Sequence, residues 1–455
     1  TVSGNDRTLY QGIRRLPPAH LWVITPKHAN LRRFYNWRDT SPLPASAAAD
    51  YTEQFRTCLS EAVRCRLDAT QPIALELSGG LDSSSICVLA SRPQQPPQVE
   101  LYAQSLVFPG LPCDERRYIE AVLGHIEMDH QAFEATPLTI TRARAQARRD
   151  GDVPAYPNGV MSRGLRLAAQ ARGSRVVVSG SGSDEWWTGS RLDGAERLRR
   201  GEWSLAWEET MRAAQRGAVG RPRWLDVARA LRLSLGPWLP WHWRQRYHQR
   251  RHSQPPWPWI APALLSRTHS WERMQQPPRR ERSHDWTLQD VIDIVESGWV
   301  YHAYEMEARE AASYGLELRA PFTDRRLCAL AVALPLAVRA RRGGSKYLLR
   351  QAMRRDVGWR GLPDVVRTRA DKAEFSHLYL AALHRGERAL RSRPLQVASR
   401  GWVDQAHYWR AVTAVLSRAR ALPGGPVVDV RDSTVVQLLW AVMALELWLQ
   451  SAQPT

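Results

Sequence analysis

Leu77-Ser-Gly-Gly-Leu-Asp-Ser-Ser84 sets two glycines, three hydroxyls and one carboxylate within eight residues. Gly79 and Gly80 can reach backbone angles closed to other residues and leave their N–H groups bare. Pro72 to Leu77 before them is a short apolar run that reads as a strand, and Ser84 to Ala90 after them reads as a helix. Strand, glycine turn and helix N-terminus together form an anion cradle, because free N–H groups and the helix dipole face the ligand. Asp82 is out of place in an anion site unless it holds a cation such as Mg²⁺ on a phosphate. A Walker loop is excluded, since no Gly-Lys-Ser/Thr follows. The alternative is an ordinary Gly-Gly turn capping a helix.

A second strand-and-loop, Val176-Val-Val-Ser-Gly-Ser-Gly-Ser-Asp-Glu-Trp186, carries Asp184 and Glu185. Two acids from two loops, Asp82 and Asp184, could hold one Mg²⁺ between them. Further on, Gly315-Leu-Glu-Leu-Arg-Ala-Pro-Phe-Thr-Asp-Arg-Arg-Leu327 embeds Glu317 and Arg319 in a partly apolar run; the bland reading is a buried salt bridge. Gly343-Gly-Ser-Lys-Tyr-Leu-Leu-Arg350 and Arg367-Thr-Arg-Ala-Asp-Lys-Ala-Glu-Phe375 follow. Each holds a lysine in a chain with only three, Lys27, Lys346 and Lys372, among 64 basic residues. Where arginine is the default cation, a lysine marks work that needs a compact charge on a flexible stem.

The elements that must position these groups alternate. Val99 to Phe108 reads as a strand, Asp114 to Leu123 as a helix and Arg175 to Ser179 as a strand. From about residue 71 to 190 this predicts a parallel, doubly wound α/β sheet, whose ligands bind at the carboxyl ends of its strands. Before it, Leu9–Val23 and Leu31–Trp37 read as short strands with a Pro-Pro turn, Ser41 to Ser46 as a linker, and Tyr51 to Leu67 as a helix. Residues 186–286 hold 12 of the 20 tryptophans, and 191–256 hold 14 arginines, no lysine and 6 acids. Helices are expected near Trp203–Arg216 and Leu225–Leu235. Arg and Trp together can stack on a nucleobase or peptide; equally, the tryptophans can pack a helical insert while the arginines are solvated. After Trp286 the pattern is mainly helical.

With 455 residues, 44% hydrophobic and 24% charged, the chain predicts two or three domains with full cores. Val435–Leu449 reads as too short and too polar for a membrane span, hence as a buried helix. Five scattered cysteines without a CxxC fit a reducing cytoplasm, without disulfide frame or zinc site. The net charge of +19 fits an anionic partner or a solvated basic surface.

In this order the motifs SGGLDSS, SGSGSDE, GLELRAPFTDRRL, GGSKYLLR and RADKAEF resemble the asparagine-synthetase family over roughly residues 50–450. The first loop resembles the pyrophosphate loop of ATP pyrophosphatases. The resemblance implies an ATP-pyrophosphatase-type sheet with helical additions over residues 49–455, with the Arg/Trp-rich insert at about 190–286. Residues 1–48 resemble the tail of a glutamine-hydrolysing domain, without the nucleophilic cysteine of true glutaminases. The implied chemistry is ATP-dependent activation of a carboxylate as an acyl-adenylate, then attack by a nitrogen nucleophile with release of AMP.

By the same resemblance Leu77, Ser78, Gly79, Gly80, Leu81, Asp82, Ser83 and Ser84 bind ATP and its pyrophosphate, with Ser179 and Gly180 near the nucleotide. Asp82 and Asp184 would ligate Mg²⁺, and Lys346 would contact phosphate. Lys372 would stabilise the charge that develops as the amine attacks, and Glu317 would orient or deprotonate that amine. No tyrosine partner for Glu317 is selected among Tyr301, Tyr304 and Tyr314. Within the family the chain is most similar to lasso-peptide cyclases, which activate an Asp or Glu side chain of a precursor peptide and close a macrolactam with its N-terminal amine. Expected partners are then that peptide, a leader-binding protein and a leader peptidase, with neither membrane nor nucleic acid. Asparagine synthetase, β-lactam synthetase and a tRNA-modifying ATP pyrophosphatase are the alternatives.

Overall fold

The computed structural model describes residues 6, 8–44, 48–92, 99–215, 223–251, 257–269, 272, 285–339, 345–356, 359–369, 373–420 and 430–451. Two strands, β1 (His20–Ile24) and β2 (Ala29–Arg33), pair antiparallel. Their turn is Thr25–His28, closed by the Thr25 N–H on the His28 carbonyl at 2.8 Å. The Pro17-Pro18 pair precedes the hairpin instead of turning it, since proline can donate no ladder bond. Side chains following the hairpin tie it to the body: Arg38 pairs with Asp293 and Glu296, and Trp37 meets Trp186 edge-on.

Five parallel strands make the central sheet: β3 (Ile73–Glu76), β4 (Leu101–Val107), β5 (Asp129–Glu134), β6 (Val176–Val178) and β7 (Glu317–Arg319). Their order is β5-β4-β3-β6-β7. The winding therefore runs outward from β3 in one direction and resumes on its other side with β6. The break between β3 and β6 is the topological switch point, where the loops after two neighbouring strands part and leave a crevice.

Alternation along the strands gives each face its own core. Ile73, Leu75, Val176 and Val178 face the helices Ala48–Arg64, Leu81–Ala90 and Arg325–Ala333. Ala74, Tyr102 and Val177 face the helices Arg163–Ala171 and Gly298–Ala312 through Ala169 and Ala311. The predicted doubly wound α/β sheet is thus observed.

A second, all-helical core gathers Leu383, Tyr408, Val412, Leu439 and Trp440 from Ser376–Leu390, Gln405–Arg420 and Val430–Ser451. This last helix is longer than the apolar stretch read from sequence, and Thr434–Ser451 is long and apolar enough to cross a membrane. Half of that segment is buried in the protein, and the buried Glu446 accepts the Val397 N–H at 3.0 Å. It is a core helix. All five cysteines are free.

The insert helices Asp193–Arg199, Trp203–Gln215, Arg223–Leu235 and Trp241–Arg251 follow the second loop. Their tryptophans do not simply pack a core. Trp203, Trp207, Trp224 and Trp243 on these helices are exposed, whereas Trp259 and Trp286, which follow them in the chain, are buried. Trp271 lies outside the described residues.

Candidate active site

The two glycine loops leave β3 and β6 side by side at the switch point. Gly79 has φ +75°, and a Cβ there would stand 2.8 Å from the Tyr118 Cβ, so only glycine fits this turn. The loop is closed on itself: Ser78 and Ser83 hydroxyls lie 2.8 Å apart, and the Gly80 N–H donates to Ser78 Oγ at 3.2 Å. The Leu77 carbonyl accepts from Ser105 Oγ, and Leu81 opens the helix. The Ser84 hydroxyl is fully buried with no hydrogen-bond partner among the described residues, and its N–H donates to the Gly80 carbonyl at 3.2 Å.

The second loop lies directly against the first. A Cβ on Gly180 would meet Ser83 N at 3.0 Å and Asp82 Cβ at 3.2 Å. Gly182, at φ +98°, lets the loop seat on Phe322 and Thr323. The Ser179 N–H is held by the Arg319 carbonyl at 2.9 Å.

On this frame Asp82 and Asp184 converge on one ammonium. Lys346 Nζ stands 2.5 Å from Asp82 Oδ2 and 2.7 Å from Asp184 Oδ1. Ser183 Oγ donates to the other Asp82 oxygen at 2.8 Å. Lys346 is buried and sits in the left-handed region at φ +59°, with its N–H on the Trp187 carbonyl. A non-glycine residue in that region costs about 1–2 kcal/mol, which the surrounding contacts must offset. Two carboxylates arranged about a positive charge fit the expected Mg²⁺ pair. Among the described residues no group of three or more His, Cys, Asp or Glu could hold a metal. Phosphate oxygens and water would therefore complete the shell, as Mg²⁺ commonly requires.

Glu317 is not at this site. It begins β7 and pairs with Val176 at the amino end of β6, whereas the loops leave the carboxyl ends. Strand alternation turns Glu317 and Arg319 to the same face, where they form an exposed pair at 2.9 Å. Arg319 also holds the carbonyls of Arg66 and Asp68, and its hydrogen bond keeps the Glu317 carboxyl below its ordinary range. The role given to Glu317 is therefore corrected. Lys372 lies outside the described residues.

Sequence reasoning missed Glu307 and left Tyr304 unselected among three tyrosines; both lie on the helix Gly298–Ala312. Glu307 accepts from Ser181 Oγ at 3.0 Å, and burial, with Glu76 nearby, pushes its carboxyl up. Tyr304 is partly buried beside Glu185 and Glu307. Glu185 is likewise raised by burial next to Asp184 and Asp82. The usable signal was spacing: Tyr304, Glu307 and Ala311 share one helical stripe, and Ala311 is a core residue.

Residues 54–450 match the asparagine synthase family. The chain belongs to that family. Among curated relatives, Amidase chyE of Penicillium rubens is 26% identical over 200 residues, covering 40% of this chain and 30% of that protein. Amidase chry2 of Gibberella zeae is 25% identical over 200 residues, covering 41% and 30%. The matched stretch thus spans less than a third of either relative. Among solved structures, the U34-tRNA thiolase NcsA from Methanococcus maripaludis, with its [4Fe-4S] cluster, is 12% identical. It covers 51% of this chain and 82% of that one at a TM-score of 0.21, which decides neither fold nor substrate.

Proposed function

We propose that this protein is an ATP-dependent amide-forming ligase. A substrate carboxylate attacks the α-phosphorus of ATP, giving an acyl-adenylate and pyrophosphate. An amine then attacks the acyl carbon, the C–N bond forms, the C–O bond to AMP breaks, and one proton leaves the nitrogen. The observation that carries this reading is the meeting of Asp82, Asp184 and Lys346 over an anion cradle at the sheet's switch point. Backbone N–H groups at the start of the Leu81–Ala90 helix receive the pyrophosphate. Asp82 and Asp184 would hold Mg²⁺, which when bound neutralises phosphate charge. Lys346 supplies a fixed cation at the same place, and Lys372 is proposed to stabilise the charge that develops during amine attack.

Within the family we assign the substrate as a precursor peptide whose Asp or Glu side chain is joined to its own N-terminal amine. The exposed Trp203, Trp207, Trp224 and Trp243 amid the insert's arginines support a polypeptide substrate, since Trp and Arg dominate the energetics of protein contacts. Folding the peptide before closure supplies proximity worth several kcal/mol. A leader-binding protein and a leader peptidase are the proposed partners. The test is mass spectrometry of the protein with ATP, Mg²⁺ and a candidate linear precursor, with AMP followed in parallel. Loss of one water from the peptide with AMP release is the expected result. AMP release with aspartate and ammonia alone would move the substrate to a small molecule, and no AMP with any carboxylate would refute the ligase.

A further inference from the structure

The helix Leu81–Ala90 starts at the first glycine loop and points away from it. At about 1.5 Å per residue, Arg92 stands about 16 Å from that loop, just past the far end of the helix. There an open cleft of about 540 Å³ is lined by Arg92, by Trp359 and by the helix Ala48–Arg64. Arg56, Thr57, Ser60 and Arg64 recur at three and four residues, so one stripe of that helix faces the cleft.

Trp359 is buried, and two guanidinium groups stand over its ring, Arg92 at 3.5 Å and Arg56 at 4.7 Å from the centroid. Arg56 is fixed there: its Nε–H donates to the Ala352 carbonyl at 3.0 Å, and Glu53 pairs with it at 2.7 Å. Arg64 pairs with Glu61 at 2.7 Å. Arg92 has no such partner. Among the described residues no carboxylate or carbonyl accepts from its guanidinium, and both burial and the neighbouring Arg56 disfavour its charge. Three arginines against Glu53 and Glu61 leave one positive charge uncompensated in the cleft. An indole face attracts a cation, but it does not satisfy the N–H donors of the guanidinium edge. That edge is a planar fork matched to an oxyanion. Stacking on Trp359 also holds it in place, so less side-chain freedom is left to lose on binding.

We propose that this cleft is a second anion site, which takes a phosphate-type group on the forks of Arg92 and Arg56, with the Thr57 and Ser60 hydroxyls as further donors. A tetrahedral anion suits it better than a carboxylate, because its oxygens point to donors on several sides while a carboxylate offers two in one plane. The site is separate from the nucleotide loops and does not depend on what they catalyse. An anion seated here joins the end of the helix Leu81–Ala90 to the helix Ala48–Arg64.

The experiment is calorimetric titration of the wild-type, Arg92→Met and Thr57→Val proteins with inorganic phosphate, glycerol 2-phosphate and succinate, all without Mg²⁺. The same proteins are titrated with Mg²⁺-ATP to follow the loops. Wild-type protein should bind phosphate more tightly than succinate. Arg92→Met should weaken phosphate at least about tenfold, as loss of a charged hydrogen-bond donor predicts, and leave Mg²⁺-ATP unchanged. Thr57 is exposed on its helix, so Thr57→Val tests the site even if Arg92→Met does not fold; about threefold weaker phosphate binding is expected. Tighter binding of glycerol 2-phosphate than of phosphate would support the site with a phosphate ester as its ligand, and the reverse would support it with the free anion. No phosphate binding by the wild type, or succinate binding equally well, overturns the proposal. So does unchanged phosphate affinity in folded Arg92→Met, or in Thr57→Val where Arg92→Met does not fold. Equal losses of phosphate and Mg²⁺-ATP in Arg92→Met would put the phosphate at the loops and overturn it too.

Discussion

Lys346→Met tests the centre of the site, because it keeps most of the side-chain stem and removes the charge that two carboxylates share. Lys346 is 5% exposed, Asp82 23% and Asp184 55%. Stripping one partner from a fully buried ion pair costs about 3–5 kcal/mol, mostly through the charge left behind. Asp184 is more than half in water, so its share is screened, and about 2–3 kcal/mol is the expected loss. At about 2.1 cal/mol/K per residue, a chain of this length unfolds with an entropy near 1 kcal/mol/K, which makes the loss a fall in Tm of about 2–3 °C. The assay is thermal unfolding with and without Mg²⁺. Without it the variant melts lower. With it the variant gains more than the wild type, because an ion that binds the folded form stabilises by mass action and the facing carboxylates are now free for it. Adding Asp82→Asn to the variant should recover part of the loss. An unchanged Tm, or an equal Mg²⁺ gain in both proteins, would refute the view that Asp82 and Asp184 form one cation site.

Four further outcomes are expected. Burial, with Glu209 nearby and Arg339 only partly compensating, raises the Asp193 carboxyl from 3.8 to about 7. The folded state keeps a proton that the unfolded chain gives up, so stability falls as pH rises from about 4 to about 7 and levels off above; at about 1.4 kcal/mol per pH unit the ceiling is about 4 kcal/mol. Asp193→Asn should flatten that slope in unfolding measurements and raise the melting temperature at pH 8. Gly79→Ala forces φ +75° on a residue with a Cβ and drives that Cβ to 2.8 Å from Tyr118 Cβ; nucleotide binding followed by fluorescence should be lost. Glu317→Gln should leave Mg²⁺-ATP affinity within about twofold, since breaking an exposed ion pair costs at most about 1 kcal/mol. Lys372→Ala should lower amide formation more than adenylation, read as hydroxylamine-trapped acyl product against AMP in single-turnover experiments.

How much of this was legible follows from how each element is stabilised. β3, β4 and β6 were readable because central parallel strands are buried on both faces and show as apolar runs stopped by glycine and serine. β5 was not, because Asp129-His-Gln-Ala-Phe-Glu134 is an edge strand whose exposed polar residues break the pattern. β7 is three residues long and gave no period to detect. The two glycine loops were legible for a different reason. Their chemistry is backbone geometry, and glycines at fixed spacing report backbone geometry directly. Glu317 shows the limit of that argument. A motif gives the order of residues along a strand, but the end of the strand that meets the ligand is decided by register with its neighbour. Pairing Glu317 with Val176, not with Val178, puts it at the wrong end. Tyr304 and Glu307 show the converse. They belong to no motif, yet the helix that buries Ala311 on the sheet must carry the residues four and seven positions earlier along the same stripe. Packing, which fixes that helix, therefore also delivers a carboxylate to the second loop. In this fold the two glycine loops can be read from local sequence, whereas the carboxylate that meets the second loop through Ser181 is placed by tertiary contact.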